Sequence, residues 1–156
     1  MKPVFDRVDI KQMLVTFTQR IKDIESIFNL KPYTKKISAI TDKAQSYVPN
    51  SSGFCLIHGV LYHRHLIFSK DCHLTGIIDW GDTCISDPTV DLGVLFQFFP
   101  QRFHDDFWES YGKVTEPAKH YARFLGLYSS VALLWYGHDK EDEYLIETSL
   151  KTLKMI

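Results

Sequence analysis

Three segments between His58 and Gly93 gather histidines, aspartates and glycines in an order that packing alone does not demand. The first is His58-Gly59-Val60-Leu61-Tyr62-His63-Arg64-His65, running into the apolar Leu66-Ile67-Phe68. The second is Gly76-Ile77-Ile78-Asp79-Trp80-Gly81-Asp82, and the third is Ser86-Asp87-Pro88-Thr89-Val90-Asp91-Leu92-Gly93. A strand ending at His58, a loop crossing the strand ends and a hairpin returning to Asp79 would set His65 beside Asp79. A neutral imidazole next to a carboxylate suits a divalent ion that bridges phosphates, because such an ion takes few protein ligands and fills the rest from water and substrate.

The elements around these segments must do the positioning. Phe54-Cys55-Leu56-Ile57, Leu66-Ile67-Phe68 and Leu74-Thr75-Gly76-Ile77-Ile78 are short apolar runs that read as strands. Ser69 to His73 is a hairpin-sized connection between the last two. On the N-terminal side, Ile10, Met13, Leu14, Phe17, Ile21, Ile24, Ile27 and Phe28 recur at helical spacing behind Asp9 as N-cap, with Pro32 closing the helix. A weaker helix follows over Thr34 to Tyr47. On the C-terminal side the period returns through Val90, Val94, Leu95 and Phe98, then in a short helix from Phe103 to Tyr111. Glu116 opens a long apolar helix that Gly137 is expected to end, and the last helix is expected over Asp139 to Met155, with the acidic run Asp139 to Glu143 as its solvated start. The fold class is α+β, mostly helical, with a small strand cluster in the middle and one domain over residues 1–156.

Composition excludes more than it identifies. A net charge of -1 offers no basic field for nucleic acid or an anionic membrane. Cys55, Cys72 and Cys84 have neither paired spacing nor an even count, so they read as free intracellular thiols. Met1 to Asp9 mixes charges with no apolar run, which points away from a secretory leader and toward a cytoplasmic protein.

In order, spacing and intervening hydrophobic pattern, the three segments resemble the catalytic loop, metal-binding loop and following helix start of the aminoglycoside and macrolide phosphotransferases, relatives of choline kinase within the protein-kinase-like superfamily. The family's loop reads His-Gly-Asp, four residues, then Asn; the second motif reads Ile-Asp-Trp or Ile-Asp-Phe, and the third Asp-Pro, two residues, Asp-Leu. The resemblance implies a protein-kinase-like C-terminal lobe and an ancestral reaction in which ATP or GTP phosphorylates a hydroxyl of an antibiotic-like small molecule. It makes Asp79 the magnesium ligand, His58 a structural member of the loop, Asp87 the cap of the following helix and Asp91 the carboxylate that holds the loop's backbone. His65 stands where most of the family has asparagine. Macrolide phosphotransferases commonly carry histidine there, and imidazole can supply the lone pair an amide oxygen would.

Two departures accompany the resemblance. Val60 occupies the position of the catalytic aspartate, and valine can neither orient an acceptor hydroxyl nor take its proton. No G-x-G-x-x-G or P-loop occurs, so the phosphate-gripping small lobe of the family has no counterpart in the sequence. The resemblance therefore implies a large lobe alone, impaired in catalysis, with magnesium weak or vestigial and ATP or GTP poorly held. The alternative is a non-catalytic module that keeps an acceptor pocket for a small molecule or protein. Self-association through the surface left by the small lobe is a third expectation. Trp108, Tyr111, Tyr128, Trp135 and Tyr136 either line such a pocket or belong to the core, and Asp82 is a candidate carboxylate near the metal. His63, His73, His104, His120 and His138 read as surface residues.

Overall fold

A computed structural model describes residues 7–156, so the reading of Met1 to Asp9 as leader-free falls mostly outside the described residues. Its axis is a 24-residue helix, α5 (Glu116–Asp139), which starts where Thr115 accepts the Ala118 amide and Pro117 occupies the first turn. Tyr121, Phe124, Leu125, Leu127, Tyr128, Val131 and Leu134 are buried around most of its circumference. A helix apolar on all sides needs neighbours on all sides. They are α1 (Ile10–Glu25), α2 (Thr34–Ala44), α3 (Gly93–Phe98) and α6 (Glu143–Met155), which contribute Met13, Phe17 and Ile24, then Ile40 and Ala44, then Leu95, then Leu153 to one core. A short α4 (His104–Tyr111) lies outside it. No described helix is long and apolar enough to cross a membrane.

Between α2 and α3 the chain forms two separate antiparallel ladders rather than one cluster. Strand β1 (Cys55–Ile57) pairs with β4 (Cys84–Ser86), Leu56 opposite Ile85. Strand β2 (Leu66–Phe68) pairs with β3 (Leu74–Ile77), Leu66 opposite Ile77. β4 was not expected from the sequence, because Cys84-Ile85-Ser86 is too short to display an alternating pattern and gains its identity only from β1.

Three helix boundaries differ from the periodic reading. α1 stops at Glu25, well before Pro32, which instead sits in a 3₁₀ turn over Lys31–Tyr33. Gly137 does not end α5; it lies buried inside the helix, where an added Cβ would stand 3.1 Å from Ile146 Cγ1 and 3.2 Å from the Ile146 amide nitrogen. Its missing side chain lets α6 return against α5. The reversal happens at Glu141, with φ of 53°, and Asp142 caps α6 by accepting the Leu145 amide at 2.9 Å. The acidic run therefore splits between the end of one helix and the cap of the next.

α3 and α5 approach through a pair of glycines. A Cβ on Gly126 would meet the Gly93 carbonyl oxygen at 2.8 Å and Phe96 Cβ at 2.9 Å. Neither can retreat without moving the start of α3. Gly126→Val should lower stability by about 1–3 kcal/mol despite any gain in helix propensity. At this chain length that is a fall in Tm of roughly 2–4 °C per kcal/mol, readable by calorimetry or circular dichroism.

Candidate functional site

The loop after β1 is clamped from two sides. Chain direction changes at Gly59, whose φ of 89° only glycine adopts without strain. The half-buried Asp91 carboxylate accepts the amides of both His58 (Oδ2, 2.7 Å) and Gly59 (Oδ1, 3.0 Å). On the other side a Cβ at Gly59 would lie 2.4 Å from the Asp82 carbonyl oxygen, so this loop and the 79–82 segment are in backbone contact. The buried His58 ring crosses the same gap: its Nε2 donates to the Ile78 carbonyl at 2.8 Å, which fixes the tautomer. Its ring lies 4.9 Å from the Trp80 ring and 5.1 Å from the His65 ring.

The β2–β3 hairpin brings His65 and Asp79 together. Its ladder extends one pair beyond the strands, with the Ile78 amide donating to the His65 carbonyl at 3.0 Å, which places the next residue, Asp79, at the imidazole. His65 Nε2 and Asp79 Oδ2 are 3.3 Å apart. The imidazole is 7% exposed and the carboxylate 68%, so Asp79 stands at the open side and His65 forms the floor. Burial, and after it the neighbouring His58, hold the His65 imidazole below its ordinary range against the pull of Asp79. It is then neutral at neutral pH and carries a lone pair. Asp79 sits in the left-handed region with φ of 65° and ψ of 55°, a conformation that costs a non-glycine residue about 1 kcal/mol or more.

These two groups fit a divalent ion as a pair of adjacent ligands. Neighbouring ligands of an octahedral ion at about 2.1 Å stand about 3 Å apart, close to the separation found. Among the described residues no cluster of three or more His, Cys, Asp or Glu could hold a metal. An ion here would have to complete its shell from phosphate oxygens and water.

Asp87 caps the 3₁₀ turn Pro88–Val90, accepting the Thr89 amide at 2.9 Å and the Asn50 amide at 3.3 Å. Burial pushes its carboxyl up, but hydrogen bonds from Tyr47, from the Thr89 hydroxyl and from the two amides outweigh that and hold it below the usual range. Asp87 thus fixes the turn that delivers Asp91.

Val60 is half-buried and faces a cavity of about 520 Å³. Leu61 and Tyr62 continue its wall, Tyr128, Ser129, Ala132, Leu133 and Tyr136 of α5 form the opposite one, and Arg7 and Arg20 complete it. Of the five aromatic residues offered as pocket or core, Tyr128 and Tyr136 line this cavity; Trp108, Tyr111 and Trp135 do not. His63 is not a surface residue: both its ring nitrogens are buried, burial holds it below its ordinary range, and Gln97 beside it works the other way. Arg7 and Arg20 carried no signal in the sequence, since one is isolated and the other lies among the polar positions of α1. The stripe 128, 129, 132, 133, 136 was legible as a helix face but not as a cavity wall.

Residues 28–127, well over half of the chain and including all three motif segments, match the family model of the phosphotransferase enzyme family, APH. The fold is similar to that of the GDP complex of wild-type aminoglycoside 2'-phosphotransferase-IIIa, at 24% identity and a TM-score of 0.62 over 97% of this chain and 52% of that one. It is similar also to a macrolide 2'-phosphotransferase type I, at 18% identity and a TM-score of 0.52 over 92% of this chain and 48% of that one. A GDP and kanamycin complex of APH(2")-IIia gives 22% identity and a TM-score of 0.59, with 91% of this chain and 50% of that one covered. The chain spans about half the length of these solved structures.

The clamp predicts two outcomes. Asp91→Ala removes the acceptor of two amides and should cost about 2–3 kcal/mol in urea denaturation. Asp91→Asn keeps one acceptor and should cost less. The lowered folded-state pKa of Asp87 means that its contribution is complete above its unfolded value, about 3.9, and is lost as pH falls through the folded one. Stability measured from pH 6 to pH 2 should therefore fall less steeply in Asp87→Asn, from a lower starting point.

Proposed function

The chain belongs to the phosphotransferase enzyme family, and from that premise we propose that it is the large lobe of a small-molecule kinase that has lost its general base. The reaction class is transfer of a phosphoryl group from ATP or GTP to a hydroxyl of an antibiotic-like small molecule. The observation that carries this reading is the position of Val60: it lies on a loop held at both ends of its turn, in the wall of a ligand-sized cavity, with the His65–Asp79 pair on the same loop system.

The roles follow from the geometry. His65 and Asp79 would hold magnesium, which supplies charge neutralisation to the phosphates. His58 orients the 78–79 backbone, and Asp91, with Asp87 behind it, keeps the loop in register. Val60 can accept no proton, and loss of a general base costs about 10²–10⁴-fold in rate. The exposed Leu56 and Ile85, paired across β1 and β4, are apolar surface that a nucleotide-covering lobe or a second copy would bury. Such a protein works in the cytoplasm, where nucleoside triphosphates are found and Cys55 and Cys72 stay reduced. A second reading, supported by the intact cavity beside an inert Val60, is a non-catalytic binder of the acceptor.

Kinase activity separates the two elements of this proposal. The wild-type chain should show no transfer above background with aminoglycoside or macrolide acceptors, while Val60→Asp supplemented with a small lobe from a relative should gain at least about 100-fold. Wild-type turnover that vanishes in Asp79→Ala would overturn the loss of function. Titration with Mn²⁺, followed by its electron paramagnetic resonance signal, should give weak binding that Asp79→Ala abolishes, and sedimentation at increasing concentration should reveal self-association.

A further inference from the structure

The charge of the cavity beside Val60 differs from what a polycationic aminosugar would need. Among the described residues no aspartate, glutamate or lysine lines it, whereas two guanidinium groups, Arg7 and Arg20, do. Arg20 lies over the Tyr128 ring, with its guanidinium carbon 4.7 Å from the centroid. Stacking of this kind occupies the face of the guanidinium and leaves its in-plane N–H donors available. Among the described residues neither arginine side chain donates a hydrogen bond, and neither belongs to an ion pair, whereas Arg64 pairs with Asp142 and Arg123 donates to the Ile156 carbonyl. The remaining wall is apolar or aromatic: Val60, Leu61, Ala132 and Leu133 between the rings of Tyr62 and Tyr136.

From this lining we infer that the cavity takes an anion carried on an apolar or aromatic body, with the carboxylate or phosphate held between Arg7 and Arg20 and the body packed against Val60 and the α5 face. Two like charges sharing one recess repel each other and lose hydration, and an anionic ligand removes both penalties at once. Burial is what chiefly lowers the pKa of Arg7; Tyr128 and Asp82 then raise it, Arg20 lowers it, and Asp91 raises it by less. A cationic amine on the same apolar body meets two positive charges and, among the described lining residues, no carboxylate. The inference rests on the reading of this cavity as a ligand site, but on neither metal nor nucleotide.

The test compares matched probes on the whole chain without nucleotide or metal: naphthalene-1-acetate, 1-naphthylmethylamine, inorganic phosphate and kanamycin, by isothermal titration at low and moderate salt. The carboxylate should bind at least about 10-fold more tightly than the amine, with affinity falling as salt rises. Arg20→Gln, at a half-buried position, should weaken the carboxylate about 10-fold and leave the amine unchanged or improved; Arg7→Gln should do likewise. Unfolding midpoints measured without probe separate loss of binding from loss of fold, and the wild-type preference stands without any variant. Equal or tighter binding of the amine or kanamycin overturns the anion while leaving a ligand site. Phosphate binding as tight as the aryl carboxylate overturns the apolar body. Carboxylate binding indifferent to both substitutions, or no binding by any probe, overturns the cavity as the site.

Discussion

One carboxylate, that of Asp91, connects the helical core to the loop on which any chemistry would depend. It accepts two consecutive amides at the turn after β1, and no backbone ladder reaches those amides because the strand has already ended at Ile57. Its own position is set upstream by the Asp87-capped turn and downstream by α3, which can approach α5 only because Gly93 and Gly126 lack side chains. The order of dependence runs from α5 to α3, from α3 to Asp91 and from Asp91 to the loop. A change deep in the helical core can therefore reach Val60 without touching it, through a chain of contacts none of which is itself catalytic.

The same construction leaves the side chain at position 60 free to vary while its frame persists. The hydrogen bonds that hold the loop use the backbone of His58 and Gly59 and the ring of His58, but not the side chain at position 60. The clamp is consequently borne by backbone atoms and the His58 ring, and valine at position 60 costs the fold nothing that the clamp supplies. Asp79 is the contrasting case. Its left-handed backbone is a standing cost, and its largely exposed carboxylate recovers little of it within the described residues. Strain of that kind persists where the surrounding hairpin and the His58–Ile78 hydrogen bond leave no alternative path.

The sequence was most informative where spacing alone constrains geometry. The antiparallel hairpin joining Leu66–Phe68 to Leu74–Ile77 was enough to bring His65 near Asp79, although a bulge that pairs Ile67 with Gly76 directly after Phe68 with Leu74 sets the final register and carried no signal. The mostly helical class and the long apolar α5 were legible for the same reason, through periodicity. What escaped were features created by meetings of distant segments: β4 exists only through β1, and Gly59 matters because of Asp82. The boundary between α5 and α6 was misread because Gly137 resembles a helix terminator, while its actual role, close approach to Ile146, belongs to another helix. Arg7 and Arg20 are unremarkable in sequence and become a pair only when α1 and the preceding turn fold over α5.

That pairing alters what the valine means. An aspartate at position 60 would place a carboxylate in the wall of the same cavity, within reach of a field dominated by two guanidinium groups. Valine carries no such charge, so the two guanidinium groups are the charged side chains among the described lining, with Asp82 and Asp91 acting on Arg7 from outside it. Valine at position 60 offers no proton acceptor, and beside two guanidinium groups its lack of charge leaves the recess more positive than an aspartate would. In a polar, water-filled groove that difference would be screened, but a half-buried guanidinium already lowered by burial responds strongly to any neighbouring charge. The charge of the recess therefore depends on position 60 as well as on Arg7 and Arg20, and a carboxylate placed there as a proton acceptor would also weaken the pull on an anion.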